Sequence, residues 1–186
     1  MKQTTLDLAN LSSDNPRIKY GTAKELIALS AKQPNLLYPN LDFFDKLLKS
    51  ENNILKWTAI DIVGHLVPLT TERQQKAYVK KMIAFLQGGK LITAAHSISA
   101  LAHIAKELPE LRTTILTQLL KVEQYTYETI ECRNIVIGKT LLALNNFTNE
   151  LTKLKGASAF IERQTSNTRP ATKKKAERLL RVLESQ

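Results

Sequence analysis

The residues of this chain whose types could do chemistry are three histidines, one cysteine and a few spaced carboxylates. His96 and His103 stand seven positions apart, and His65 lies 38 before His103. Two imidazoles with no Cys, Asp or Glu at ligand spacing fall short of the three protein ligands that even an open catalytic zinc site uses. Packing or surface roles are expected for all three, and no metal. Cys132 lies in T-I-E-C-R-N-I beside Arg133, a cation able to lower a thiol pKa. No histidine with an orienting carboxylate stands near it, so a structural cysteine is expected. Gly88-Gly89 is followed by Lys90-Leu91-Ile92 and lacks the G-K-S/T continuation of a phosphate loop. Asp42 with Asp45, and Glu128 with Glu131, have i, i+3 helical spacing and read as first-turn acids rather than as an acid and a base. The chain is therefore read as not an enzyme, with no cofactor.

The elements that position these residues repeat. R-I-K-Y-G-T-A-K-E-L-I-A-L, from Arg17, matches I-L-K-W-T-A-I-D-I-V-G-H-L, from Ile54, with Tyr20 against Trp57 at an offset of 37. Further copies place Ala95 38 residues after Trp57 and Ile135 40 residues after Ala95. In the second copy Leu55, Ala59, Ile62, Val63 and Leu66 recur three and four apart, so one stripe must be buried. Second helices lie between the copies. One follows Tyr38-Pro39-Asn40, with Phe44, Leu47 and Leu48 on one side. A second, E-R-Q-Q-K-A-Y-V-K-K-M-I-A-F-L, is capped by Thr70 or Thr71 and ended by Gly88-Gly89. A third follows Leu108-Pro109-Glu110, and a fourth, L-T-K-L-K-G-A-S-A-F-I-E, follows Asn149-Glu150. Prolines 16 and 170 fall at first-turn positions, where the missing N–H costs nothing.

The phrase D-N-P-R-I-K-Y-G-T-A-K-E-L-I-A-L resembles the first helix of a HEAT repeat. It has Asn before Pro and a basic residue after an aliphatic one (Lys19, and Lys56 in the next copy). Small residues stand mid-helix (Ala23, Ala59), and Val63-Gly64 is a Leu or Val followed by a small residue, as in the family. The third and fourth copies depart, with Ala94 and Asn134 at the basic position. Armadillo repeats are the neighbouring family, and two evident helices per unit favour HEAT. The resemblance implies an all-α fold, an α-α superhelix (solenoid) of about four helix pairs plus a C-terminal capping helix. The expected layout is one domain, 1–186, with units at 13–50, 51–88, 89–127 and 128–166 and a cap at 168–186. Leu6, Leu8 and Leu11 in residues 5–11 are expected to cap the first unit. Some DNA glycosylases use HEAT-like repeats with a basic groove, aromatics and a catalytic carboxylate. Here the single Trp, Trp57, matches Tyr20 and fits packing between units, and the chain is short for that family.

Charge is the feature that points outward. The 27 Lys and Arg outnumber 17 Asp and Glu, a formal net charge of +10, and a basic excess speaks to partners rather than to fold. The resemblance places second helices on the concave face, where they carry Lys76, Lys80, Lys81, Arg112, Lys121, Lys153, Lys155 and Arg163, continued by Lys173, Lys174 and Lys175. Such a ridge would meet a phosphate backbone without sequence specificity. Glu72, Glu110, Glu123, Glu150 and Glu162 interrupt it, and few aromatics are available to stack on bases. The leading expectation is a scaffold or adaptor binding another macromolecule, a protein first. The alternative is a module that binds duplex nucleic acid through the ridge. The opening M-K-Q-T-T-L-D-L-A-N has no apolar stretch of signal type, no apolar run approaches the roughly 20 residues of a membrane span, and Cys132 cannot form an internal disulfide. A soluble cytoplasmic protein with no small-molecule substrate is expected.

Overall fold

Helix starts are set by short polar side chains and prolines. The computed structural model describes residues 7–185, and within them every element is helical. By contact the chain divides into two units, Met1–Leu69 and Thr70–Gln186. The division falls between the two helices expected to pair within 51–88.

In the first unit, Asn15 Oδ1 accepts the N–H of Arg17 at 3.0 Å and Pro16 opens α1 (Pro16–Lys32). Short helices α2 (Pro34–Leu37) and α3 (Leu41–Leu47) follow, separated by a 3-10 turn at Tyr38–Asn40. Asn52 Oδ1 accepts from Ile54 N at 3.0 Å and Leu55 N at 3.2 Å, starting α4 (Asn53–Leu66). α4 packs against both α1 and α3. Its predicted stripe is the buried one: Ala59, Ile62, Val63 and Leu66 are sealed and Leu55 is half-buried. Tyr20 and Trp57 are half-buried. Ser30, fully buried, lies 2.8 Å from the carbonyl oxygen of Ile27 and 2.8 Å from His65 Nδ1, tying α1 to α4. Of the expected N-terminal cap, Leu8 and Leu11 lie in a 3-10 turn, Leu8–Ser12, that packs on α1 with Leu11 buried. Leu6 lies outside the described residues.

In the second unit, Thr71 and Gln74 form a capping box that starts α5 (Glu72–Gln87). Gly88 and Gly89 end it, with Gly89 at φ +77°. Then come α6 (Leu91–Glu107), α7 (Pro109–Leu119), α8 (Ile130–Leu144), α9 (Thr148–Leu151), α10 (Ala157–Gln164) and α11 (Pro170–Glu184). The expected fourth second helix is not continuous. The chain leaves α9 after Leu151 and restarts at Ala157, turning through Gly156 at φ +86°, a left-handed conformation that glycine adopts without a Cβ clash.

Within this unit α6 packs on α8 and α8 on α11, while α5 and α7 pack on α6 and α10 packs on α11. The first helices of successive pairs thus stack directly, in the manner of an α-solenoid. Small buried residues permit this approach: Ala94, Ser97, Ala100 and Ala105 on α6, Gly138 and Ala143 on α8, Thr172 and Ala176 on α11. At the tightest point a Cβ built on Gly138 would lie 2.6 Å from Thr172 Oγ1. Larger side chains fill the spaces between layers, with Met82, Leu101, Leu144 and Phe160 almost wholly buried. Burial of each such side chain is worth about 1.5–3 kcal/mol.

Candidate macromolecule-binding surface

All eleven cations of the expected ridge belong to the second unit. Lys76, Lys80 and Lys81 are exposed on α5, Arg112 is half-buried on α7, and Arg163 is exposed on α10. Lys173 and Lys174 are exposed on α11 and Lys175 is half-buried there. Of the eight expected on second helices, three are not there. Lys121 lies beyond the end of α7, and Lys153 and Lys155 lie in the exposed turn between α9 and α10 that Gly156 shapes.

Several are already neutralised. Arg112 donates from Nη1 to Glu150 Oε1 at 2.6 Å, from Nε to the carbonyl oxygen of Ala105 at 2.8 Å, and from Nη2 to that of Lys106 at 3.2 Å. Its guanidinium also lies 5.9 Å from the centre of the Phe147 ring. One side chain therefore serves the last turn of α6, whose carbonyls lack helical partners, and reaches the next helix pair. Arg163 pairs with Glu123, whose Oε2 also accepts from Gln164 Nε2 at 2.7 Å. Lys76 pairs with Glu72 along α5, Lys173 with Glu177 along α11 at 3.9 Å, and Lys81 stands 5.0 Å above the Tyr78 ring. Lys80, Lys121, Lys153, Lys155 and Lys174 make no ion pair with any described residue.

Glu123 and Glu150, read in the sequence as gaps in a basic ridge, are thus the partners of Arg163 and Arg112. Three further links have the same character. Lys90 pairs with Glu128 at 2.8 Å, and Arg169 with Glu131 at 2.8 Å. Tyr127 donates its hydroxyl to the carbonyl oxygen of Leu86 at 2.7 Å. Glu128 and Glu131, the i, i+3 carboxylate pair, are each held by a separate cation.

A second basic group joins Lys175 of the expected ridge to Lys139, which the sequence reading did not single out. Lys139 is exposed on α8, and Lys175 Nζ approaches to 3.7 Å of the position a Gly138 Cβ would occupy. Burial lowers the Lys175 pKa, and the neighbouring charges of Lys139 and Arg169 lower it further. Leu142, one turn along α8 from Lys139, is 58% exposed. The sequence carries a signal for this stripe: in the apolar run of α8, Lys139 is a charge outside the buried periodicity, and Leu142 is three residues on.

On α6, Ser99, Ala102, His103 and Lys106 join Asn146 and Phe147 around a cleft of about 430 Å³. Burial depresses the His103 pKa, against the opposing charge of Glu107 and with the reinforcing charge of Lys106. The Ser99 hydroxyl donates to the Ala95 carbonyl oxygen at 3.3 Å. A smaller cleft of about 200 Å³, lined by Tyr125, Tyr127, Ile130 and Arg133 among others, lies at the start of α8. Cys132 is half-buried beside it, its N–H accepted by the capping Thr129 Oγ1 at 3.0 Å. Among the described residues no group of three or more His, Cys, Asp or Glu is placed to hold a metal ion, and no helix is long and apolar enough to cross a membrane.

The class these features define is an all-α repeat protein in which side chains about one module apart fasten successive helix pairs together. Among solved structures the chain is similar to a designed armadillo repeat protein, with 14% identity and a TM-score of 0.43 over 94% of this chain and 97% of that one. No family model and no curated protein matches it.

Proposed function

We propose that the chain is a non-catalytic scaffold whose second unit binds another protein. The observation that carries this reading is the company its unpartnered lysines keep. The surface of the second unit exposes bulky apolar side chains, Ile92 at 46%, Ile130 at 69% and Leu142 at 58%, alongside lysines with no carboxylate partner. Apolar surface gains nothing from a phosphate backbone and gains much from a protein partner that removes it from water. A duplex would draw instead on an unbroken run of cations, each releasing a counterion. Internal pairing of Arg112, Arg163, Lys76 and Lys173 shortens that run. The mechanism is geometric: stacked helices hold side chains at fixed spacing, so an elongated partner meets many weak contacts at once.

The test is recovery of partners on tagged full-length protein after nuclease treatment, followed by reconstitution from purified components. A protein that re-forms a defined complex with the purified chain is the expected result. No protein recovered after nuclease treatment, with nucleic acid alone recovered from an untreated sample and duplex affinity falling steeply between low and moderate salt, would overturn it.

A further inference from the structure

The exposed face of α6, α8 and α11 combines charge and apolar surface in one place. Lys139 and Leu142 follow one another on α8 at helical spacing, outside the buried stripe of Val136, Ile137, Leu141 and Leu144, and Asn146 continues their line in the 3-10 turn, Asn145–Phe147, that follows. On one side stands α11, with Lys175 laid against Gly138. On the other stands α6, whose His103 and Lys106 share the 430 Å³ cleft with Asn146.

The cations here lack counter-charges of their own. Lys106, Lys139 and Lys175 form no ion pair with any described residue. The acids on the surrounding elements are committed elsewhere: Glu131 to Arg169, Glu150 to Arg112 and Glu177 to Lys173. Glu107 and Glu184 are the exceptions: the charge of Glu107 acts on His103, and Glu184 is the last residue of α11. Half-burial of Lys175 beside Lys139 is a repulsive arrangement that an incoming anion relieves, and its lowered pKa agrees with this. Leu142, one turn along α8 from Lys139, has more than half of its surface in water.

We propose that this face, through Lys106, Lys139, Leu142 and Lys175, binds an acidic segment of a partner protein that carries a bulky apolar side chain. The proposal rests on the protein-binding reading above and names the chemistry of that partner. Charge complementarity selects the acidic residues, which also steer the encounter. Leu142 selects the apolar side chain, and neither a purely acidic tail nor a duplex backbone would cover it.

The probe is a short labelled peptide of Asp and Glu around one central Leu, titrated into the full chain by fluorescence anisotropy. Lys139→Ala with Lys175→Ala is expected to weaken binding roughly tenfold, and Leu142→Ser roughly fivefold. Lys153→Ala with Lys155→Ala removes the same charge from the α9–α10 turn and is expected to change affinity by less than about twofold. Far-UV circular dichroism and the urea midpoint verify that each variant is folded. No binding at low salt, equal weakening by the Lys153 and Lys155 pair, or unchanged affinity when the peptide's Leu becomes Ser would each overturn the proposal. So would a duplex that binds with the same dependence on Lys139 and Lys175. A purified partner that still binds the Lys139, Leu142 and Lys175 variants at full strength would sink this face alone and leave the scaffold reading standing.

Discussion

Arg112 of α7 and Glu150 of α9 meet at 2.6 Å across 38 residues of chain. The pair is three-quarters buried on the arginine side, with side-chain exposures of 24% and 35%. Arg112 also donates to the carbonyl oxygens of Ala105 and Lys106, so the two ends of the pair are not equivalent. Arg112→Ala is expected to destabilise the protein by about 2–4 kcal/mol, because it leaves a carboxylate and two helix-end carbonyls short of donors. Glu150→Gln is expected to cost about 1–2 kcal/mol, since an amide oxygen still accepts from the guanidinium. Urea unfolding of both variants checks the order, and an equal loss would contradict it.

Gly138 and Thr172 set the spacing of α8 and α11. A methyl on Gly138 would press on Thr172 Oγ1, which is buried and donates to the Asn134 carbonyl oxygen at 2.7 Å, so the hydroxyl has no free place to swing. Gly138→Ala is expected to lose about 1–3 kcal/mol. Combining it with Thr172→Ala should cost less than the two single changes added together, because the second removes the atom that the first strikes. Additive losses in a double-mutant cycle would argue against this contact.

Two other glycines respond in opposite directions to alanine. Gly21 lies exposed inside α1, and a Cβ there would meet nothing within 4 Å. Gly21→Ala should therefore stabilise by about 0.5–1 kcal/mol through helix propensity and a less disordered unfolded chain. Gly156 also has open space around it, but its φ of +86° disfavours any Cβ. Gly156→Ala should cost about 1–2 kcal/mol. Thermal or urea midpoints moving the same way for both would refute the assignment.

His103 links stability to acidity. Its folded pKa is lowered from the ordinary 6.5, chiefly by burial, so the folded state binds its proton less readily than the unfolded chain does. The resulting contribution is present above the unfolded pKa and is lost as pH falls through the folded one. His103→Gln, which cannot charge, should flatten the decline in urea stability between neutral and mildly acidic pH. A decline as steep as in the unaltered protein would show that other groups cause it.

What the sequence made legible was local. The buried stripe of α4 appears as Ala59, Ile62, Val63 and Leu66, and the α5 cap was narrowed to Thr70 or Thr71, of which Thr71 serves, because helical period and capping act over a few residues. Pro109 and Pro170 mark helix starts for the same reason. The break at Gly156 was hidden. A single glycine within L-T-K-L-K-G-A-S-A-F costs a helix only about 1 kcal/mol, so the apolar period carried the reading through it. The fastening pairs were hidden too, because Arg112 finds Glu150, and Arg163 finds Glu123, only through the register of stacked modules. Charges counted along second helices overstate the free cations, and those on the first helices, Lys106 and Lys139, passed unnoticed within apolar runs.

The turn formed by residues 152–156 puts Lys153 and Lys155 in solvent, where trypsin can reach them. A cut there would leave α10 and α11 held to the rest by Arg163 and Gln164 on Glu123 and by the packing of α11 on α8. Nicked molecules should accordingly run as one species on a sizing column and fall into two fragments only in denaturant.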